Sequence, residues 1–136
     1  MDPTAPSLLV RGIAGIGKTA LVNEAVARAG SDGRRVLRVT GRPNGDPLPL
    51  GSLSASLPSL SPDPGTALAP ALARAVRRVE DDGWEAVCVD DVSGIDAASA
   101  QVLQHLAAAG LPLVATARTG DPLPESVVAL RVVGTL

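Results

Sequence analysis

The sequence predicts an α/β fold with a largely parallel sheet. Short apolar runs alternate with stretches of helical periodicity, a glycine-rich turn lies between the first run and the first helix, and two later runs end abruptly in polar side chains.

The elements follow in order. Ser7 to Arg11 is a short strand directly before the glycines. Lys18 to Ala29 carries Leu21, Val22, Ala25 and Val26 at helical spacing, with Gly30 as its expected stop. Val36 to Thr40 is a second strand. Gly41 to Gly65 is dense in Pro, Gly and Ser, and a structureless loop of that length is unusual, so Leu50, Leu53, Leu57 and Leu60 are read as a short helix within it. Thr66 to Glu80 is a helix, expected to turn Leu68, Leu72, Val76 and Val79 inward and Arg74, Arg77 and Arg78 outward. Ala86 to Val89 is an apolar strand running into Asp90 and Asp91. Asp96 is the N-cap expected for a helix over Ala97 to Ala109. Leu113 to Thr116 is a further strand, and Val127 to Val133 contains the last. No internal repeat is present, and residues 1–136 read as one domain.

Composition narrows the function. The chain has 136 residues, enough to bury a real core, and 46% are apolar, which argues against disorder. There is no Phe or Tyr and one Trp, so packing rests on Leu, Val, Ile and Ala. A formal charge of −2 provides no general attraction to nucleic acid or an anionic membrane. A single cysteine, Cys88, excludes an internal disulfide and fits a reducing compartment. The N-terminus lacks the basic and apolar regions of a signal peptide, and no apolar run reaches spanning length. A cytoplasmic domain is expected.

Gly12-Ile-Ala-Gly-Ile-Gly-Lys-Thr19 satisfies G-x-x-x-x-G-K-[ST] at every fixed position, in the strand–loop–helix setting that this motif requires. Gly12, Gly15 and Gly17 let the backbone curl around phosphate oxygens without a Cβ in the way. The amides from Gly15 and Ile16 through Gly17, Lys18, Thr19 and Ala20 then face the phosphates, aided by the positive end of the helix dipole. Lys18 is expected on the β- and γ-phosphates and the Thr19 hydroxyl on Mg²⁺. Lys18 is also the one lysine among twelve basic residues. A compact ammonium stands where phosphate chemistry uses one, in a chain that otherwise uses arginine. The plain alternative is a glycine turn before an ordinary helix. The expected ligand is ATP with magnesium.

Two carboxylates at the end of an apolar strand are costly unless water, a cation or a hydrogen bond meets them. In open parallel sheets ligands gather at the carboxyl ends of strands, the edge where the phosphate loop begins. Asp90 is the candidate for holding magnesium and Asp91 for orienting or deprotonating the attacking water. Alternatively, Asp91 merely opens the turn to the next helix. Thr116 and Arg118 repeat the design at the end of the later strand, where they would meet the water or the γ-phosphate. Spacing alone allows equally a solvated strand end.

The remaining residues read more plainly. Arg74, Arg77 and Arg78 before Glu80, Asp81 and Asp82 form a solvated helix face. His105 lacks Cys, Asp or Glu at ligand spacing within its helix. Cys88 is a core residue without a basic neighbour in sequence, and Trp84 packs near the start of its strand.

With these residues in hand, the chain resembles the nucleotide-binding core of STAND-class P-loop ATPases, and within them the ATPase module of large LuxR-family transcriptional regulators. Leu9 to Leu21, Val87 to Val92 with Asp96 to Ser99, and Leu113 to Arg118 carry the likeness, and Leu48-Pro-Leu50 followed by Leu53 is similar to the family's segment after its second strand. The resemblance implies a three-layer P-loop NTPase fold, with helices on both faces of a five-stranded sheet ordered 5-1-4-3-2. It implies Asp90 in magnesium binding, Asp91 in water activation and Arg118 in sensing the nucleotide. Gly94 departs from the Trp usual in that family, which implies a less firmly anchored following helix. The family's lid, winged-helix, sensor and helix-turn-helix domains are not in this sequence. DNA binding is therefore not expected of this chain, whereas self-association or contact with such domains is. ATP hydrolysis without a lid is expected to be slow. The alternatives are a nucleotide-binding module that does not hydrolyse and, behind it, a P-loop phosphotransferase. A GTPase is disfavoured, because guanine recognition commonly uses an N-K-x-D loop and the one lysine is committed.

Overall fold

The computed structural model describes residues 7–12, 17–42, 48–60, 65, 67–118 and 131–135, with the backbone alone for 7–12, 18–19, 118 and 131–135. Among these residues five strands form one sheet: β1 (Ser7–Gly12), β2 (Val36–Thr40), β3 (Ala86–Asp90), β4 (Leu113–Arg118) and β5 (Arg131–Thr135). Their spatial order is β2-β3-β4-β1-β5, and every pairing is parallel. The α/β class with a parallel sheet is thus observed. Residues 127–130 of the last expected strand lie outside the described residues.

The helices are α1 (Lys18–Ser31), α2 (Gly51–Ser56), α3 (Leu68–Asp81) and α4 (Ala97–Ala108), with single 3₁₀ turns at Pro58–Leu60 and Val92–Gly94. Strand side chains alternate between the two faces of the sheet. Leu37 and Val39 of β2, Val87 and Val89 of β3, and Leu113, Ala115 and Ala117 of β4 share one buried cluster with Leu53 of α2, Ala75 and Val79 of α3, and Val102, Leu103 and Leu106 of α4. The opposite face carries Arg38, Cys88, Asp90 and Thr116, and α1 covers it: Arg38 hydrogen-bonds Asn23 of α1, and Val22 is buried outside the main cluster. Helices therefore lie on both faces, as parallel crossovers require.

Some sequence expectations are corrected. α1 runs through Gly30 to Ser31 and ends at Asp32. The residue that turns the chain is Gly33, whose φ of 77° suits glycine. On the same helix Leu21 is 44% exposed, so only Val22 of its expected stripe is fully buried. On α3 the buried residues are Ala71, Ala75 and Val79, while Leu72 and Val76 are half-buried and Leu68 points outward. Small alanines let α3 lie close to α4, and that seats the face nearer Ala75 than Leu68. The leucine segment between β2 and α3 does form a short helix and a 3₁₀ turn, burying Leu50, Leu53 and Leu60.

Trp84 lies just before β3, partly buried, with the Arg35 guanidinium 4.6 Å from its ring centroid. That is the amino edge of the sheet, away from the phosphate loop, so it is not placed to stack on a base bound there. Its indole N–H is buried without a partner among the described residues. Cys88 is buried, and burial pushes its thiol up despite the opposing charge of Arg38, a basic neighbour that the linear sequence does not reveal. A thiol reagent should therefore leave native Cys88 unmodified and label it only on unfolding. Ellman titration with and without denaturant checks this, and fast native labelling would contradict the burial.

Candidate functional site

Because the strands are parallel, β1 and β3 end at the same edge of the sheet. Register locates the ends: Val10 pairs with Thr116, Gly12 with Arg118, and Val89 with Ala115. Asp90 and Thr116 therefore stand level on adjacent strands, and the phosphate-loop segment leaves β1 just beyond them. At the far end of that segment Gly17 has φ 96°, a left-handed conformation that suits glycine, and α1 begins at Lys18. Gly17 provides no capping side chain, and the first turn of α1 contains no acidic residue. That first turn therefore contributes no carboxylate of its own to the positive end of the helix. Ala20 is exposed in this turn. Gly15, Ile16 and the side chains of Lys18, Thr19 and Arg118 lie outside the described residues.

Asp90 is 6% exposed, and Thr116 Oγ1 donates to its Oδ1 at 2.8 Å. The same Thr116 oxygen accepts the backbone N–H of Asp91 at 3.0 Å. One hydroxyl thus fixes both the carboxylate of Asp90 and the course of the chain after it, which accounts for a buried threonine at the end of an apolar strand. The other oxygen of Asp90 faces Arg38, whose guanidinium is 3.6 Å from Oδ2. Arg38 was not among the residues singled out from sequence. In the pattern Val36-Leu-Arg-Val-Thr40 it looks like an ordinary outward residue of an alternating strand, and nothing in linear order relates it to β3.

Asp91 adopts φ 60° and ψ 66°, a left-handed backbone that Asp tolerates better than most residues. Its carboxylate accepts the Ser93 hydroxyl at 3.1 Å. The turn that follows is clamped against the chain leaving β2. Gly41 N–H donates to Asp90 O at 2.8 Å, and Arg42 N–H to Gly94 O at 3.1 Å. Gly94 lies so near Arg42 that a Cβ there would fall 2.6 Å from its nitrogen and 2.8 Å from its carbonyl carbon. The Trp usual at this point in the family resembled has no room here.

The following helix is nonetheless firmly anchored, contrary to what Gly94 implies, and Asp96 is the reason. It caps α4 as expected, accepting Ser99 N–H at 2.9 Å and Ser99 Oγ at 2.6 Å. It also accepts the amides of Leu50 at 2.7 Å and Ser52 at 3.0 Å, at the start of α2. Ser99 Oγ in turn accepts Leu53 N–H at 3.2 Å. Burial pushes the Asp96 carboxyl up, but bonds from the Ser99 hydroxyl and from the Ser52, Ser99 and Leu50 amides outweigh it, so it lies below the ordinary carboxylate range.

Magnesium binds through one or two carboxylates, hydroxyls and phosphates while keeping several waters. Asp90, held by Thr116 at the edge where α1 begins, is a donor of that kind. Among the described residues no group of three or more His, Cys, Asp or Glu is arranged to hold a metal ion.

No family model matches the chain, and no curated protein matches it in sequence. Solved structures share its fold. A Drosophila ORC structure bound to GC-rich DNA and Cdc6 aligns at TM-score 0.60 and 15% identity, over 97% of this chain and 49% of that one. The Aeropyrum pernix ORC1 protein in complex with DNA aligns at 0.61 and 19%, over 96% and 38%. The Pif1 helicase of Candida albicans aligns at 0.56 and 17%, over 97% and 35%. This chain thus spans less than half the length of each, and at such identities the likeness is one of fold. The fold is what these proteins share with this chain, and the Gly12–Thr19 sequence matches the phosphate-loop pattern. The narrower likeness to LuxR-family STAND modules is not among these findings.

Proposed function

We propose that this chain binds ATP with magnesium at the carboxyl edge of its sheet and hydrolyses it slowly, as the nucleotide switch of a signalling or transcriptional regulator. One observation carries the reading: the strand leading into Gly12-Ile-Ala-Gly-Ile-Gly-Lys-Thr19 and the strand ending in Asp90 finish on the same edge, one strand apart, with Thr116 between them.

In this reading the loop amides and the α1 terminus receive the phosphates, Lys18 provides the mobile positive charge, and Thr19 and Asp90 hold the magnesium ion. That ion, when bound, neutralises phosphate charge. Asp91 orients water and accepts its proton, and Arg118 senses the nucleotide from the end of β4. Positioning and electrostatics do most of the work in such chemistry. ADP is the product and the competing ligand. DNA contact is not proposed, although two of the similar structures are DNA complexes. No described helix is long and apolar enough to cross a membrane, and a cytoplasmic location is proposed from composition.

A second reading is favoured by the Asp91 side chain, which already caps its own turn through Ser93. If that is its whole role, the module binds nucleotide without hydrolysing it. Two variants separate the readings. Lys18→Ala should weaken ATP binding at least ~100-fold in calorimetric titration, since it removes a charge-assisted contact to phosphate. Asp91→Asn keeps a residue that tolerates the left-handed backbone, so it alters the chemistry with little effect on the fold. Single-turnover hydrolysis should fall about 10²-fold or more with binding intact. Phosphate release by wild type no faster than by Lys18→Ala would favour the second reading, equal measurable rates in Asp91→Asn and wild type would remove the role given to Asp91, and Lys18→Ala binding ATP normally would remove both readings.

A further inference from the structure

Arg38 belongs to neither motif, yet it lies between α1 and the strand end at Asp90. It lies on β2 level with Cys88 of β3, on the face covered by α1. Its guanidinium has two partners on different elements. One nitrogen hydrogen-bonds the Asn23 amide oxygen, in the second turn of α1, and the other lies 3.6 Å from Asp90 Oδ2. Its backbone carbonyl also accepts the Ser56 hydroxyl of α2 at 2.5 Å. The strand position is thus fixed, and the side chain spans from the helix that follows the phosphate loop to the acidic strand end.

Asp90 has two carboxylate oxygens with different partners. Oδ1 takes the hydroxyl proton of Thr116, which is 1% exposed, whereas Oδ2 faces the guanidinium. A divalent cation approaching the Asp90 carboxylate therefore meets a fixed positive charge that cannot be deprotonated. We infer that Arg38 is an internal counter-ion to Asp90 that sets how tightly the site takes its metal–nucleotide complex, and that neutralising it tightens that complex. This rests on the nucleotide reading given above. The pair steadies a nearly buried carboxylate when no metal is present. With a metal on Asp90, Arg38 would give up that contact while keeping its bond to Asn23 of α1.

The direction is unusual for an arginine near a phosphate site, and that makes it testable. Were Arg38 a phosphate ligand, its loss would weaken Mg·ATP binding, and were it only a packing residue, a folded variant would bind no more tightly than wild type. As a competing charge, its loss strengthens binding. A unit charge a few ångströms away, discounted for the partly exposed guanidinium, corresponds to roughly tenfold in affinity.

The experiment is calorimetric titration of wild type, Arg38→Gln and Arg38→Lys with Mg·ATP, and with ATP in EDTA. Arg38→Gln is expected to bind Mg·ATP about tenfold more tightly, with metal-free ATP unchanged or weaker, and Arg38→Lys to stay near wild type. Circular dichroism verifies folding, and Arg38→Met, which keeps the unbranched stem, replaces Arg38→Gln if that variant does not fold. Wild type that binds Mg·ATP while the neutral variants bind it no more tightly overturns this inference and leaves the nucleotide reading standing. Wild type that binds no ATP in either condition overturns both.

Discussion

Asp96→Ala should destabilise the fold by on the order of 4 kcal/mol, a large share of what a domain of this size has to lose. The carboxylate accepts four hydrogen bonds between 2.6 and 3.0 Å, from Leu50, Ser52 and twice from Ser99. Alanine would leave these buried donors without an acceptor and remove the N-cap of α4, itself worth about 1 kcal/mol. It would also release Leu50, which holds φ 62° while its side chain is 1% exposed. Asparagine is no conservative replacement. Each Asp96 oxygen accepts two donors, so an amide NH₂ would face donors whichever way it turned. Asp96→Ser divides the two roles, since it can still cap α4 but is too short to hold α2. Urea denaturation should rank wild type above Ser and Ser above Ala, and equal midpoints for Ser and Ala would assign the whole effect to α2.

The same residue fixes a pH dependence. Its folded-state pKa is depressed, so in acid the unfolded chain takes up this proton first. The stability it contributes is fully present above the unfolded carboxyl value of about 4, and is lost as pH falls below that toward the folded value. Midpoints measured from pH 6 to pH 2.5 should show that loss in wild type and less of it in Asp96→Asn. Parallel curves would mean that other carboxylates govern acid unfolding.

Much of this was legible in the linear sequence for a simple reason: local signals and local structure coincide. Val36 to Thr40 is a strand with its expected bounds, Asp96 caps its helix, and the leucines at 50, 53 and 60 are buried. Apolar spacing and capping chemistry act over a few residues, and these features need no more. What escaped reading depends on partners far apart in the chain. Asp96 reads as one helix cap but serves two, because α2 returns to it from 44 and 46 residues away. Arg38 reads as an exposed strand residue until β3 brings Asp90 beside it. On α3 Val79 is buried and Leu72 and Val76 pack against the core as their spacing predicts, and only Leu68 turns outward, because Ala71 and Ala75 take the closest contacts.

Gly94→Trp, which introduces the residue usual in the resembled family, should abolish stable folding of this chain. The cause is a crossing of two backbones. Gly94 rests against Arg42, and Gly41 approaches the same turn so closely that a Cβ there would lie 2.9 Å from Gly94 carbon atoms. The obstacle on each side is main chain, which cannot rotate away as a side chain can. Two bonds fix the distance, Gly41 N–H to Asp90 O and Arg42 N–H to Gly94 O. Even Gly94→Ala should therefore cost at least about 3 kcal/mol, more than ordinary overpacking, because relief requires breaking that clamp. Gly30→Ala is the control: it lies within α1 with open space around it, and should be neutral or stabilising by up to about 1 kcal/mol. The clamp also positions Asp90 and Asp91, so Gly94→Ala should weaken Mg·ATP binding even at a temperature where circular dichroism shows it folded. Thermal melts and titrations of the three variants test both parts. A Gly94→Trp protein melting within a few degrees of wild type would mean that the crossing yields easily, and that the two strand ends are held together by something other than backbone contact.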